Sequence, residues 1–253
     1  MQSVQSPRSI LAVAMACLLA VSAAAADLTV SAAASLTNAF QELGPAFERA
    51  NPGTKVLFNF GASGALLQQI SKGAPVDVFA SADQETMDQA QNQRLVQADT
   101  RRNFVSNTLV VIVPAASTLT PLTLADLAHP AYQRITIGLP ASVPVGRYTK
   151  IVLERAGLWP AIEPKMIGAQ TVRQALDYTA RSEVDAGFVY ATDALLLPGK
   201  VRVALVVPTP IPVLYPIAPV SASANLAAAQ RFIAFIQSPQ AQLVLARFGF
   251  GKP

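Results

Sequence analysis

A short apolar run hands over to an amphipathic run again and again along the first part of this chain. That alternation restricts the fold more than any other feature. Residues 28–30 read as a strand and 40–49 as a helix, which the Asn51-Pro52-Gly53 turn stops. Residues 55–60 form the next apolar run. Gly61-Ala62-Ser63-Gly64 then leads into a helical pattern over 65–72, ended by Gly73. Residues 76–80 make a third strand, followed by Ser81-Ala82-Asp83 and a helix to about Gln93. Strand and helix in strict alternation predict an α/β fold, with a parallel sheet and helices on its faces. Ligands of such sheets bind beyond the carboxyl ends of the strands, where Ser35 and Ser63 fall.

Ser35 is expected at the N-cap of the first helix, accepting from an early backbone N–H, and Ser63 repeats that position. A helix start also suits an anion, because its first N–H groups lack partners and sit at the positive end of the dipole. One such serine on its own reads as an ordinary cap. Its recurrence is what suggests a site.

A second α/β unit follows. Residues 108–114 are continuously apolar and read as the crossover out of the first lobe, and 135–138 as a strand. The loop Leu139 to Tyr148 opens into a helix. Thr171 caps another helix, and the strand 186–190 runs into a short helix at Ala191. Residues 213–220 return to the first lobe, where Pro216 and Pro219 argue against a central strand, since proline cannot donate to a ladder. Two helices, over 225–236 and 239–247, close the chain.

Of 253 residues, 52% are apolar and 13% charged, with a net charge of +4. The chain is therefore no disordered tail, and its basic residues are too scattered for nucleic acid. Residues 1–26 carry Arg8, an apolar run over 10–20 and Ala24-Ala25-Ala26, the order of a secretory signal cleaved before Asp27. The apolar run is short for a membrane anchor. Cys17 lies inside it rather than at its end, which argues against a lipid-anchored form. Without that segment no cysteine remains, and the exported chain depends on its core alone.

Parts for catalysis are scarce. His129, the one histidine, precedes Pro130 in a loop. Gly61-Ala62-Ser63-Gly64-Ala65 resembles a nucleophile elbow but has Ala65 where the second glycine belongs. An exported serine hydrolase built on Ser63 is the alternative from another class. Metal ligands are not clustered. Asp77, Asp83 and Asp193 read as caps and turns, because a carboxylate would repel a bound dianion. Hydroxyls and free N–H groups from two lobes instead suit a small oxyanion.

Taken together, Ala32 to Ala39, Gly73 to Asp83, Val143-Pro144-Val145-Gly146 and Gly187-Phe188-Val189-Tyr190 resemble the periplasmic molybdate-binding proteins of ABC importers, which are type II solute-binding proteins. The similarity runs from Asp27 to Phe250. It implies two lobes, each a mostly parallel sheet flanked by helices, joined by a two-stranded hinge. Lobe 1 would be 27–108 with 214–253, and lobe 2 would be 109–213. It further implies a cleft closing on molybdate or tungstate, delivery to a membrane permease, no cofactor, no reaction, and a monomer in the periplasm. Carried over residue by residue, the ligating hydroxyls fall on Ser35 and Ser63, the backbone donors on Val145 and Val172, and the phenol on Tyr190. Ala34 and the Ser63 amide are additional backbone donors. Val145 stands where the family has alanine. Tyr190 as interlobe packing and Val172 as a first buried helix position are the plainer readings. Sulfate or phosphate is the alternative ligand, although phosphate would call for an acceptor carboxylate that the junctions do not offer.

Overall fold

The computed structural model describes residues 26–253. Apart from Ala26, the export signal expected over 1–26 lies outside the described residues, and so does Cys17.

The chain builds two five-stranded sheets. The first takes β1 (Ala26–Ala33), β2 (Thr54–Gly61), β3 (Val78–Ala80), β4 (Arg102–Asn107) and, from far along the chain, β10 (Val213–Pro219), in the order β2-β1-β3-β10-β4. Between these strands run α1 (Thr37–Ala50), α2 (Ser63–Ser71) and α3 (Gln84–Asn92). The second sheet takes β5 (Leu109–Pro114), β6 (Ile135–Gly138), β7 (Met166–Ala169), β8 (Ala186–Tyr190) and β9 (Val201–Val207), in the order β7-β6-β8-β5-β9. Its helices are α4 (Pro144–Arg155), α5 (Trp159–Ile162), α6 (Val172–Ala180) and α7 (Ala191–Ala194). Then α8 (Leu226–Ile236) and α9 (Pro239–Arg247) return to the first sheet. The chain crosses between sheets twice, directly after Asn107 and again over 208–212, which makes the two-stranded hinge.

Each sheet is parallel over three strands, β2-β1-β3 and β7-β6-β8, and antiparallel at its other two pairings. In each sheet four of the five strands therefore run the same way, mostly parallel as expected, and only β10 in the first and β5 in the second run against the rest. The reversed strands β5 and β10 each follow one of the two crossings that leave β4 and β9, where the chain changes sheet without a helical crossover.

Burial follows the sequence pattern. The α1 helix buries Ala39, Phe40, Leu43 and Phe47, one stripe at helical spacing. Phe47 meets Phe232 of α8 edge-on at 5.2 Å, and Phe40 meets the same ring at 6.0 Å. All six residues of β5 are buried, as a strand covered on both faces requires.

One expectation fails. β10 lies inside its sheet, paired on both sides, despite Pro216 and Pro219. The ladder to β4 shifts register between Tyr215 and Pro216, so a bulge absorbs the proline whose N–H is missing. The Pro216 carbonyl still serves, accepting from Ser81 N–H at 2.9 Å.

Candidate anion-binding site

The carboxyl ends of β1 and β2 in the first sheet and β6 and β8 in the second point at one another across the seam. Between them lies a small cavity of about 10 Å3, lined by Ala33, Ala34, Ser35, Gly61, Ala62, Ser63, Ala82, Val143, Pro144, Val145, Val172 and Tyr190. All six residues singled out in the sequence line it, although they come from both lobes. All six are buried, Ser63 and Val145 completely. None of the lining residues is charged.

Neither serine is the cap that local sequence suggested. Ser35 sits in a 3-10 turn, Ala34–Leu36, that enters α1. Its Oγ lies 2.9 Å from the Tyr215 hydroxyl instead of bonding a helix N–H. Ser63 is the first residue of α2, capped by Ala62, and its Oγ accepts from Ala82 N–H at 3.0 Å. The reason is tertiary: Tyr215 on β10 and the turn after β3 bring partners to both oxygens from outside the serines' own helices. With its acceptor side used, the Ser63 proton is left for the cavity. Thr171 does cap α6 as expected, accepting from Gln174 N–H at 3.1 Å.

The backbone supplies further donors. Ser63 and Val172 are the first residues of α2 and α6, and Val145 is the second of α4, after a proline at the position where proline is tolerated. None of these N–H groups has a partner within its own helix. Three helix starts, with their positive dipole ends, therefore converge on one cavity.

Tyr190 ends β8 with its ring buried, and its hydroxyl is without a hydrogen-bond partner among the described residues. A buried hydroxyl left unpaired costs about 1–3 kcal/mol, so this one marks a place where a ligand atom belongs. Burial is also the main reason its ionisation is pushed well above the ordinary phenol value, which keeps the proton available to donate.

The seam is held shut around the cavity. Gly64 N–H donates to Ser142 O at 3.0 Å, and a Cβ on Gly64 would lie 2.8 Å from that oxygen, so glycine is needed there. Two arginines of the second lobe reach the first. Arg147 on α4 donates to Asp83 Oδ2 at 2.7 Å. Arg173 on α6 donates to Ser35 O at 3.0 Å and Asn38 Oδ1 at 2.7 Å. Its Nε also meets Asp193 Oδ1 at 2.7 Å, off the line of the N–H bond, as an ion pair. Burial pushes the Asp193 carboxyl up to about 6, against the pull of Arg173. Asp83 and Asp193 do cap α3 and α7 as expected, accepting from Thr86 N–H and Tyr190 N–H. Their ion pairs were not foreseen. The one hint was that each arginine closely follows a backbone donor, Val145 or Val172.

Asp77 is structural, accepting from Thr29 N–H at 2.8 Å and the Ser223 hydroxyl at 2.6 Å. It lines a larger groove of about 440 Å3 around the start of β1, away from these donors. His129 is exposed, with its Nδ1 accepting from Ala131 N–H at 3.2 Å. His129 is not among the residues that line the cavity with Ser63, so the two do not form the nucleophile and base of a hydrolase there.

The chain matches the family described as bacterial extracellular solute-binding protein over residues 28–251. It is 37% identical to the molybdate-binding protein ModA of Escherichia coli (strain K12) over 229 residues, 88% of each chain. To the ModA of Haemophilus influenzae it is 34% identical, covering 90% of this chain and 91% of that one. Among solved structures, the periplasmic molybdate-binding protein of Azotobacter vinelandii superposes with a TM-score of 0.78 at 26% identity, covering 89% of this chain and 99% of that one. The sulfate-binding protein SubI of Mycobacterium tuberculosis H37Rv shares the fold, with a TM-score of 0.80 at 19% identity over 88% and 86%. A family match over nearly all of the described chain, with relatives more than 30% identical along their length, shows that this chain belongs to the bacterial extracellular solute-binding proteins.

Proposed function

We propose that this chain binds molybdate, and tungstate with it, in the cavity between its lobes and delivers the ion to the permease of an ABC importer in the periplasm. The observation that carries the reading is the unpartnered Tyr190 hydroxyl, buried at the rim shared with Ser35 and Ser63. The ligands are the hydroxyls of Ser35, Ser63 and Tyr190 and the N–H groups of Ala34, Ser63, Val145 and Val172. Lobe 1 is 27–108 with 214–253, and lobe 2 is 109–213. The protein works as a monomer and catalyses nothing, as a binding protein does.

The energetics suffice without a cation in the cavity. A hydrogen bond to an ionised acceptor contributes about 2 kcal/mol net. Seven such donors give roughly 14 kcal/mol before the cost of lost freedom and lobe closure. Micromolar binding needs only about 8 kcal/mol. Fixed donors also select by size, because an ion as small as sulfate leaves some of them out of reach.

The test is calorimetric titration of the purified protein with molybdate, tungstate, sulfate and phosphate, repeated with the Ser35→Ala/Ser63→Ala double variant. Molybdate and tungstate are expected to bind at micromolar concentration or tighter, and the double variant to lose at least about 100-fold, some 3 kcal/mol for two charge-assisted bonds. Tight binding of phosphate, or a double variant that binds molybdate normally, sinks the assignment.

A further inference from the structure

We infer that Tyr215, oriented by Asn107, is a positioning residue that commits the Ser35 hydroxyl to donate into the cavity and so makes the site reject anions that carry a proton. The inference rests on the anion-binding reading above. Neither residue lines the cavity, and neither was singled out in the sequence.

The direction of the hydrogen bonds follows from counting protons. Asn107 is the last residue of β4, immediately before the first crossing between sheets. Its Oδ1 accepts from Thr108 N–H at 2.9 Å, and a backbone N–H only donates, so the amide nitrogen faces the other way. That nitrogen has two hydrogens. One goes to Thr192 Oγ1 at 2.9 Å and the other to Tyr215 Oη at 3.2 Å. The Tyr215 hydroxyl is thus an acceptor from Asn107 and still has one proton of its own. It is completely buried, and its other neighbour within hydrogen-bond distance is Ser35 Oγ at 2.9 Å. Were Ser35 the donor, the phenol proton would have nowhere to go, and buried hydroxyls are rarely left so. The chain therefore runs from Asn107 to Tyr215 to Ser35, and the Ser35 proton is what remains for the cavity.

Ser63 is committed in the same sense by Ala82 N–H, and Tyr190 has its phenol proton free. Burial, followed by the nearby Asp193 carboxylate, raises the ionisation of Tyr215 well above the ordinary phenol value, so its proton stays on. Both serines then turn hydrogen toward the cavity, and Tyr190 adds a proton of its own. A fully ionised tetrahedral anion accepts from all three, whereas a protonated oxygen placed at either serine meets hydrogen against hydrogen.

The ring of Tyr215 is held independently of its hydroxyl. Phe104, Tyr190 and Phe250 meet it edge-on, with centroids 6.4, 5.9 and 5.6 Å away. Tyr215→Phe therefore keeps the packing and deletes only the donor, after which Ser35 is free to rotate and accept. Calorimetry with molybdate, and competition by inorganic phosphate near pH 7, decide the matter, with the thermal melt as a check on folding. Molybdate is expected to weaken about tenfold while phosphate competes no less well than before, so the ratio of the two narrows about tenfold. Asn107→Asp keeps the shape but offers the phenol an acceptor, and is expected to weaken molybdate at least as much. Unchanged molybdate affinity in either variant overturns the inference, and so does an equal loss for both ions in Tyr215→Phe, which a merely structural role would give. If the unaltered protein fails to bind molybdate, the parent reading falls and the inference with it.

Discussion

Gly64→Ala separates closure of the lobes from stability of the fold. Gly64 is the second residue of α2 and lies against the backbone of Ser142 across the seam. A Cβ there would stand 2.8 Å from Ser142 O and 2.9 Å from its Cα, whereas ordinary contact begins at 3.4 Å. Both obstacles are backbone, so no side chain can swing aside. The seam has to open by about 0.6 Å, the gap between those two distances. Opening by that much stretches a 2.9 Å hydrogen bond to the limit at which it still counts. The donors of one lobe then reach the anion poorly. Losing the better part of one or two bonds to an ionised acceptor costs roughly 2–3 kcal/mol, or about 30- to 150-fold in affinity. The fold itself should not suffer. Alanine is a better helix residue than glycine and restricts the unfolded chain, so the ligand-free protein is expected to hold its melting temperature or gain about 0.5 kcal/mol. Calorimetry with molybdate and a melt without it read the two effects separately. Wild-type affinity in Gly64→Ala would refute the view that this seam must close fully for tight binding.

Three other perturbations follow from the same geometry. Tyr190→Phe removes a buried hydroxyl that has no partner, so the ligand-free protein should gain about 1 kcal/mol while molybdate binding weakens about tenfold; a loss of stability would show the hydroxyl to be structural. Arg147→Met leaves Asp83, only 5% exposed, without its cross-seam partner, and is expected to cost about 2–3 kcal/mol in the closed form, seen as faster molybdate release by stopped-flow fluorescence; an unchanged release rate would dismiss the latch. Asp193 is charged above about pH 6 in the fold but above 3.8 when unfolded. The folded form thus holds the proton longer, and this carboxyl's contribution to stability declines by about 3 kcal/mol as the pH rises from about 4 to 6. Thermal melts of Asp193→Asn should therefore gain on the unaltered protein over that range, and a difference that stays flat with pH would contradict the burial argument.

Much of the architecture was legible because it is local. Apolar runs of strand length, amphipathic runs of helix length and their turn residues report on neighbours a few positions away. The same holds for the Thr171 cap and for the helix start it marks at Val172, whose free N–H follows from helix geometry alone; the starts of α2 at Ser63 and α4 at Pro144 lay earlier than the local pattern placed them. The position of β10 was not legible. Its two prolines argued for an edge, and only the bulge after Tyr215 shows how an interior strand accommodates one of them.

What the sequence determined by itself was the alternation of elements, and hence two α/β units presenting serines and bare helix starts at the carboxyl ends of their strands. What the tertiary structure alone decided was the direction of each donor and the closure of the seam. Ser35 meets Tyr215 across 180 positions, Arg173 meets Ser35 across 138, and Arg147 meets Asp83 across 64. A hydroxyl's proton goes wherever its oxygen is not already accepting, and which group it accepts from is set by chain packing that no local pattern of residues encodes.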